Sequence, residues 1–346
     1  MPERMKYTMR DVARLAGVST STVSAVINEN VVVSPDRKKR VLDAMVALDY
    51  HPDEVARSLK TGKTNVIGVV IPDITNSFYP EVIRGVEEAA QQAGYGVLLC
   101  DSNEDPQNEA THLATLSARR VDGVLLACCA NSTGFDAMIR RRFPIVFVDR
   151  IPPGTNGNSV SSDNVEAGHA SGKHLIALGH ERIAMLIGNL EMSPHRDRLE
   201  GFRKAMQESN LPIREEYLAG GGVQIEDGKA AGRRLLSLSH PPTAIVASNN
   251  KLLMGLWESI DEHKIKVPSE LSVVGFDDQL WNRYVSPSLT VVAQATSEMG
   301  RRAFELLCQL IDNGSKESDV RHVQLRTEFL ARNSTAVPAS AHELKR

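Results

Sequence analysis

The sequence predicts two fold classes in one chain: a small all-α head, and a larger α/β body whose parallel sheets form two lobes. Three observations carry this. At 346 residues the chain is too long for one ordinary core, and about 100 to 200 residues per domain suggests two or three domains. The first fifty residues contain three short amphipathic stretches, each opened by a hydroxyl residue. From Asn65 the pattern changes to apolar runs alternating with segments of helix length.

The first helix is expected from Thr8. Thr8 and Asp11 make a capping-box-like start, Val12, Leu15 and Ala16 give an apolar face, and Gly17 ends it. The second opens at Ser19 and turns Val23, Val26 and Ile27 inward. Thr20, Ser21, Thr22 and Ser24 are left on an outward face. Small hydroxyls there suit a groove of base edges and phosphates, and equally a plain solvated surface. The third has Ser34 as cap and Pro35 at its first position, with Val41, Leu42, Met45 and Leu48 closing a small core. Three helices in this order make a helix-turn-helix.

Composition narrows the class. With 42% hydrophobic and 24% charged residues the chain reads as globular, without disordered or coiled-coil bias. No stretch approaches the roughly 20 apolar residues that cross a bilayer, and MPERMKYTMRDVARLAG has no apolar run of leader type. A cytoplasmic protein, nucleoid-associated when bound to DNA, is expected. Cys100, Cys128, Cys129 and Cys308 lack pairing or metal-ligand spacing and are read as reduced and buried. Charge is unevenly spread. Residues 1–63 hold 11 Lys and Arg against 8 Asp and Glu, a net +3, while 29 against 35 leave −6 on the rest. A basic head on an acidic body fits a head that meets phosphates.

The run MRDVARLAGVSTSTVSAVINENVVVSPDRKKRVLDAMVALDYHPDEVARSL, Met9 to Leu59, resembles the head of the lactose-repressor/galactose-repressor family. The resemblance implies a DNA-binding transcriptional repressor, with no catalytic residues and no cofactor. It places the helix that starts at Ser19 in the major groove, with Thr20 and Ser21 helping to choose the operator. The DNA-contacting set it implies is Thr8, Ser19, Thr20, Ser21, Thr22, Ser24, Ala25, Asn28, Ala56, Leu59 and Lys60. Ala25 stands where the family commonly has Arg or His, so one base contact made there by relatives is lost. Pro52 to Leu59 resembles the family's hinge helix. Leu59 is its minor-groove wedge, flanked by Arg57 and Lys60, and Asp53 replaces the usual Asn at the cap. An ordinary amphipathic linker is the alternative.

In the body, VIGVVIP, YGVLLCD, GVLLAC, IVFVD, RIAMLIG, AIVAS and LSVVGFD read as strands of parallel sheets covered on both faces. Polar residues follow or end them: Asp73, Asp101, Asp149, Asn189, Asn249 and Asp277. Ligands of open α/β sheets sit outside the carboxyl ends of strands, so a site is sought there. The resemblance extends through LeuAlaArgAsnSerThr and implies a periplasmic-binding-protein-like (type I) pair of lobes. The expected division is a head over 1–51, a hinge helix and linker over 52–63, a sensor over 64–335 and a tail over 336–346. Within the sensor the first lobe takes about 64–162 and 292–322, the second about 163–290 and 323–335, with crossings near Ser162, Val291 and His322.

The effector-binding set implied by the resemblance is Asn76, Phe78, Tyr79, Asp149, Arg150, Arg198, Asn249, Asp277 and Gln294. Phe78 could stack on a sugar ring, or with Tyr79 cap the lobe core. Asp149 and Arg150 offer an acceptor and a donor fork for adjacent hydroxyls, or pair with each other at the surface. Asn249, Asp277 and Gln294 read as ligand groups or as strand caps. Asn250 stands where the family usually has Asp, and LysLeuLeuMet follows where it prefers a small residue. The partners implied are a pseudo-palindromic operator, a small sugar or sugar derivative and a second copy of the chain, with no membrane and no metal.

Two rival classes are rejected. A transport solute-binding protein has no use for the head. A nucleotide-cofactor enzyme needs G-x-G-x-x-G after the first strand, where Ile71, Pro72, Asp73, Ile74, Thr75 and Asn76 stand. Gly220, Gly221 and Gly222 lack phosphate-loop spacing and read as a flexible loop, and the ten histidines form no HExxH pair.

Overall fold

The structure, a computed structural model, describes residues 7–28, 31–51, 62–313 and 320–339. It divides into two compact units, Met1–Thr64 and Asn65–Arg346. In the first, α1 (Met9–Ala16), α2 (Thr20–Asn28) and α3 (Pro35–Ala47) pack around Val12, Ala13, Ala16, Val23, Val26, Val41 and Ala44. Thr8 starts α1 as expected, and Gly17 ends it in the left-handed conformation at φ 60°. Leu15 and Leu42, expected in this core, are 56% and 45% exposed. At 3.6 residues per turn each lies roughly 100° from the centre of its helix's contact stripe, and Ala13 and Ala44 are buried instead.

The second unit begins with β1 (Val66–Ile71), α4 (Phe78–Gln92), β2 (Gly96–Asp101), α5 (Pro106–Ala118), β3 (Gly123–Leu126), α6 (Asp136–Arg140), β4 (Ile145–Val148) and β5 (Ser159–Ser162). It continues through α7 (Asn164–Ala177), β6 (Ile183–Ile187), α8 (Ser193–Glu208), β7 (Leu218–Gly220), α9 (Ile225–Leu236), β8 (Ala244–Ala247), α10 (Asn250–Glu262), β9 (Ser272–Phe276), α11 (Leu280–Tyr284) and β10 (Thr290–Ala293). Helix α12 (Thr296–Asn313), β11 (His322–Leu325) and β12 (Glu328–Leu330) follow. Among the described residues these strands form two six-stranded sheets, ordered β11-β5-β4-β3-β1-β2 and β12-β10-β9-β8-β6-β7. All their pairings are parallel except β10 with β12.

Each sheet is one lobe, and the chain passes between them three times. The first passage follows Ser162, the last residue of β5. The second lies at 294–295, because β10 through Ala293 still pairs with β9. The third lies at 326–327, because β11 through Leu325 pairs with β5 of the first sheet. Both are a few residues later than the expected Val291 and His322. Helix α12 returns to the first lobe, where Met299, Ala303, Phe304 and Leu307 join Ile67, Val69, Val82 and Val86 in one core.

Not every strand is covered on both faces. Strand β2 is an edge, and Leu98 and Leu99 remain 38% and 41% exposed. Cys128 and Cys129 are buried, whereas Cys100 on that edge and Cys308 are half-buried. Gly220, expected in a loop, ends β7 with φ 124°. Its missing side chain matters, since a Cβ there would lie 2.2 Å from the Ile187 carbonyl oxygen. No helix among the described residues is long and apolar enough to cross a membrane.

Helices cross on glycine in each lobe. A Cβ on Gly168 would lie 1.9 Å from the Arg198 carbonyl oxygen, and one on Gly201 1.8 Å from that of Val165. The pair α7 and α8 can approach this closely only because both contacts lack side chains. Gly85 with Gly300 joins α4 to α12 in the same way, and Gly228 with Gly255 joins α9 to α10.

Candidate functional site

On the head, the start of α2 gathers hydroxyls. Ser19 Oγ accepts from the Thr22 N–H at 3.2 Å and lies 2.7 Å from Ser21 Oγ and 2.9 Å from Thr22 Oγ1. Ser19, Thr20 and Ser21 are exposed, while Thr22, Ser24 and Ala25 are half-buried. Burial of Val23 and Val26 on the opposite side fixes this orientation. The arrangement presents small donors at a helix N-terminus, where the backbone dipole also favours a phosphate. Thr8 is committed locally, its N–H and hydroxyl donating to Asp11 Oδ2 at 3.0 and 2.7 Å. Ala56, Leu59 and Lys60, with Asp53 and Arg57, lie outside the described residues.

In the body, the two lobes present matching strand ends. Asp149 follows β4 and Asp277 follows β9, both in the left-handed conformation, at φ 64° and 67°. The N–H of each donates across its sheet at 2.9 Å, to the Val160 and Val292 carbonyls respectively. Asp pays less than most residues for this backbone geometry, which turns its carboxyl out of the sheet. Tyr79 Oη donates to Asp149 Oδ2 at 3.2 Å, and Gln294 Nε2 to Asp277 Oδ1 at 2.6 Å.

Both carboxyls are buried, and burial raises both: Asp149 above its ordinary value and Asp277 to about 6. The Arg198 guanidinium opposes both shifts. Arg198 itself is 3% exposed. Its Nε donates to Asn164 Oδ1 at 2.8 Å and its Nη1 to the Ser248 carbonyl at 2.6 Å, and the guanidinium covers the Phe276 ring at 4.2 Å. Asp149 Oδ1 and Gln294 Oε1 are buried acceptors without a hydrogen-bond partner among the described residues. An unsatisfied buried acceptor costs about 1 to 3 kcal/mol, and of seven buried side-chain atoms without a partner among the described residues these two belong to the groups around Arg198 and Asp277.

Other expected residues are occupied. Arg150 does pair with Asp149, its Nε 3.9 Å from Oδ2, but both are buried and not at the surface, and the Arg150 fork binds Glu104 with two contacts of 2.8 Å. Asn249 caps α10, accepting from the Leu252 N–H at 2.6 Å and donating to the Val223 carbonyl at 3.3 Å. Asn76 Oδ1 accepts from the Phe78 N–H at 3.1 Å and from Asn250 Nδ2 at 2.8 Å. Phe78 packs edge-on against Tyr79 with centroids 5.1 Å apart, and both are buried.

Sequence reasoning missed Glu104, Asn164, His195 and Lys251. His195 is buried on α8, and burial, then the charges of Arg198 and Arg150, hold its pKa well below the ordinary imidazole value. Its Nδ1 lies 3.3 Å from Ser248 Oγ. The Gly188 next to a strand end was the available signal, since a Cβ there would lie 2.5 Å from the imidazole.

Two cavities touch this region. One of about 50 Å³ is bounded by Phe78, Glu81, Asp277, Gln294 and Thr296. Another of about 490 Å³ lies between Cys128–Thr133, Arg150–Thr155 and Glu191–Ser193, where Ser193 Oγ accepts from the Ile151 N–H of the other lobe at 2.9 Å. Of the expected residues only Arg150 lines the larger one. The convergent polar set is therefore closed over, and space for a ligand of sugar size adjoins it. No group of three His, Cys, Asp or Glu among the described residues could hold a metal ion.

Comparison with known proteins agrees with both units. Residues 8–53 match the profile of bacterial regulatory proteins of the lacI family, and residues 173–335 that of a periplasmic binding protein-like domain. An HTH-type transcriptional repressor PurR of Mannheimia succiniciproducens is 36% identical over 329 residues, covering 94% of this chain and 98% of its own. The lac repressor dimer bound to operator and the anti-inducer ONPF superposes with a TM-score of 0.84 at 26% identity, over 95% of this chain and 99% of that one. A transcriptional regulator CelR in complex with cellobiose gives a TM-score of 0.72 at 28% identity, again over 95% and 99%.

Proposed function

From the premise that the chain belongs to the lacI family of bacterial regulatory proteins, and is a DNA-binding transcriptional repressor and not an enzyme, we propose that a small sugar-like effector bound between its lobes controls operator affinity. The observation that carries this is the pair of unsatisfied buried acceptors, Asp149 Oδ1 and Gln294 Oε1, beside a second carboxylate and the Arg198 guanidinium. A polyhydroxylated molecule supplies donors to such oxygens and acceptors to the guanidinium at the same time. The cellobiose complex of the similar regulator supports the same ligand class.

Two copies grip a pseudo-palindromic operator. Helix α2 meets the major groove with Ser19, Thr20, Ser21, Thr22, Ser24 and Ala25, and with Asn28 at its last position, and Ala56, Leu59 and Lys60 meet the minor groove. The effector must bind one lobe arrangement better than the other. A difference of about 1 to 3 kcal/mol changes operator affinity by roughly 5- to 150-fold.

A thermal-shift screen of pentoses, hexoses, disaccharides and sugar acids on the full chain tests the site. A ligand at 100 times its dissociation constant adds about 2.7 kcal/mol to the native state. Asp149→Asn and Arg198→Ala should each remove most of that shift. A screen in which only non-sugar metabolites such as nucleobases shift the transition would overturn the sugar reading.

A further inference from the structure

We propose that Lys251, seconded by Asn250, is a positioning residue for the effector site, holding the second lobe onto the first and so setting the lobe arrangement that an effector meets. This rests on the reading of the cleft as that site. Lys251 lies in the first turn of α10 in the second lobe, and its Nζ forms an ion pair with Asp73, which follows β1 in the first. The same ammonium donates to Thr75 Oγ1 at 3.2 Å and to Gln224 Oε1 at 2.9 Å. An ammonium has three donors, and three acceptors meet this one. One residue earlier, Asn250 Nδ2 donates to Asn76 Oδ1 at 2.8 Å, again across the cleft.

The carboxylate is oriented for this within its own loop. Asp73 Oδ1 accepts from the Thr75 N–H at 2.8 Å and from its hydroxyl at 2.6 Å, leaving Oδ2 for Lys251. Burial alone would raise the Asp73 carboxyl, but hydrogen bonds from Lys251 and Thr75 outweigh it and hold the group below its ordinary value. The two side chains are 13% and 10% exposed, so salt screens them less than a surface pair.

The consequence for the site runs through one loop. Asp73, Thr75 and Asn76 lead directly into α4, whose first residues are Phe78 and Tyr79. Tyr79 bonds Asp149, and Phe78 bounds the small cavity with Asp277 and Gln294. Pinning the loop from the second lobe therefore places Tyr79 and Phe78.

Hydrogen exchange on the full chain without added sugar tests the proposal. In Lys251→Met, and in the neutral pair Lys251→Met with Asp73→Asn, amides of peptides covering 72–80 and 222–230 should exchange about five times faster or more. Lys251→Arg, which keeps a cation within reach of Asp73 Oδ2, should exchange near the wild-type rate, which a lysine serving only as an aliphatic stem would not require. Should Lys251→Met fail to fold by circular dichroism, Asp73→Asn alone gives the same reading. Unchanged exchange in the folded Met and Asn variants, or exchange in Lys251→Arg as fast as in Lys251→Met, overturns the proposal. Because no sugar is present, that failure leaves the effector reading standing, and a wild-type chain that binds no sugar leaves the lobe contact standing.

Discussion

Asp277 carries the clearest titration in the cleft. Its carboxyl is raised by burial from 3.8 to about 6, so the folded chain holds that proton more tightly than the unfolded one. The stabilisation this gives is complete below about pH 3.8 and is lost as pH rises through about 6. Asp277→Asn keeps an oxygen for Gln294 and removes the charge. Its melting temperature relative to wild type should therefore rise between about pH 5 and pH 7, and a flat difference would show that the carboxyl is not raised. Asp149 and Asp277 could be singled out from sequence because each ends a continuous apolar strand. Glu104 could not, and Lys251 stood out only as the start of an unusual stretch with no partner assigned to it. Their partners lie 46 and 178 residues away, and nothing local says which charge will be opposite.

Regular elements were legible where their side chains repeat an apolar signal. The hydroxyl-capped starts at Thr8 and Ser19 and the long apolar strands all stand where periodicity places them. The strands that escaped, β5 (SVSS), β7 (LAG), β10 (TVVA), β11 (HVQL) and β12 (EFL), are three or four residues long, and all but β7 and β10 are largely polar or exposed. They pair because their neighbours offer free edges, a signal that no window of sequence contains. The glycine crossings are the element-scale feature with the sharpest consequence. Gly168→Ala would drive a methyl into the Arg198 carbonyl and force α7 and α8 apart. Overpacking of this kind costs about 1 to 3 kcal/mol. Denaturant unfolding should show that loss, and effector affinity should fall with it because Arg198 moves; a loss of stability with unchanged affinity would separate the crossing from the site.

For the molecule as a whole, the division at Thr64 predicts separable activities. Residues 64–346 alone should unfold cooperatively and keep effector binding, while operator binding is abolished in gel shifts at stated salt. Retention of specific DNA binding by that fragment would remove the head from the interface. Within the full chain, raising salt should weaken binding steeply, since phosphate contacts release about one counterion each.

The three passages between lobes have a consequence during synthesis. The first-lobe core cannot close until α12 and β11 have left the ribosome, and the second sheet lacks its last strand until Leu330. The head, complete by Thr64, depends on none of this. At roughly 5 to 20 residues per second, tens of seconds separate a folded head from a folded sensor. During that interval a nascent chain carries a completed head without the sensor that follows it.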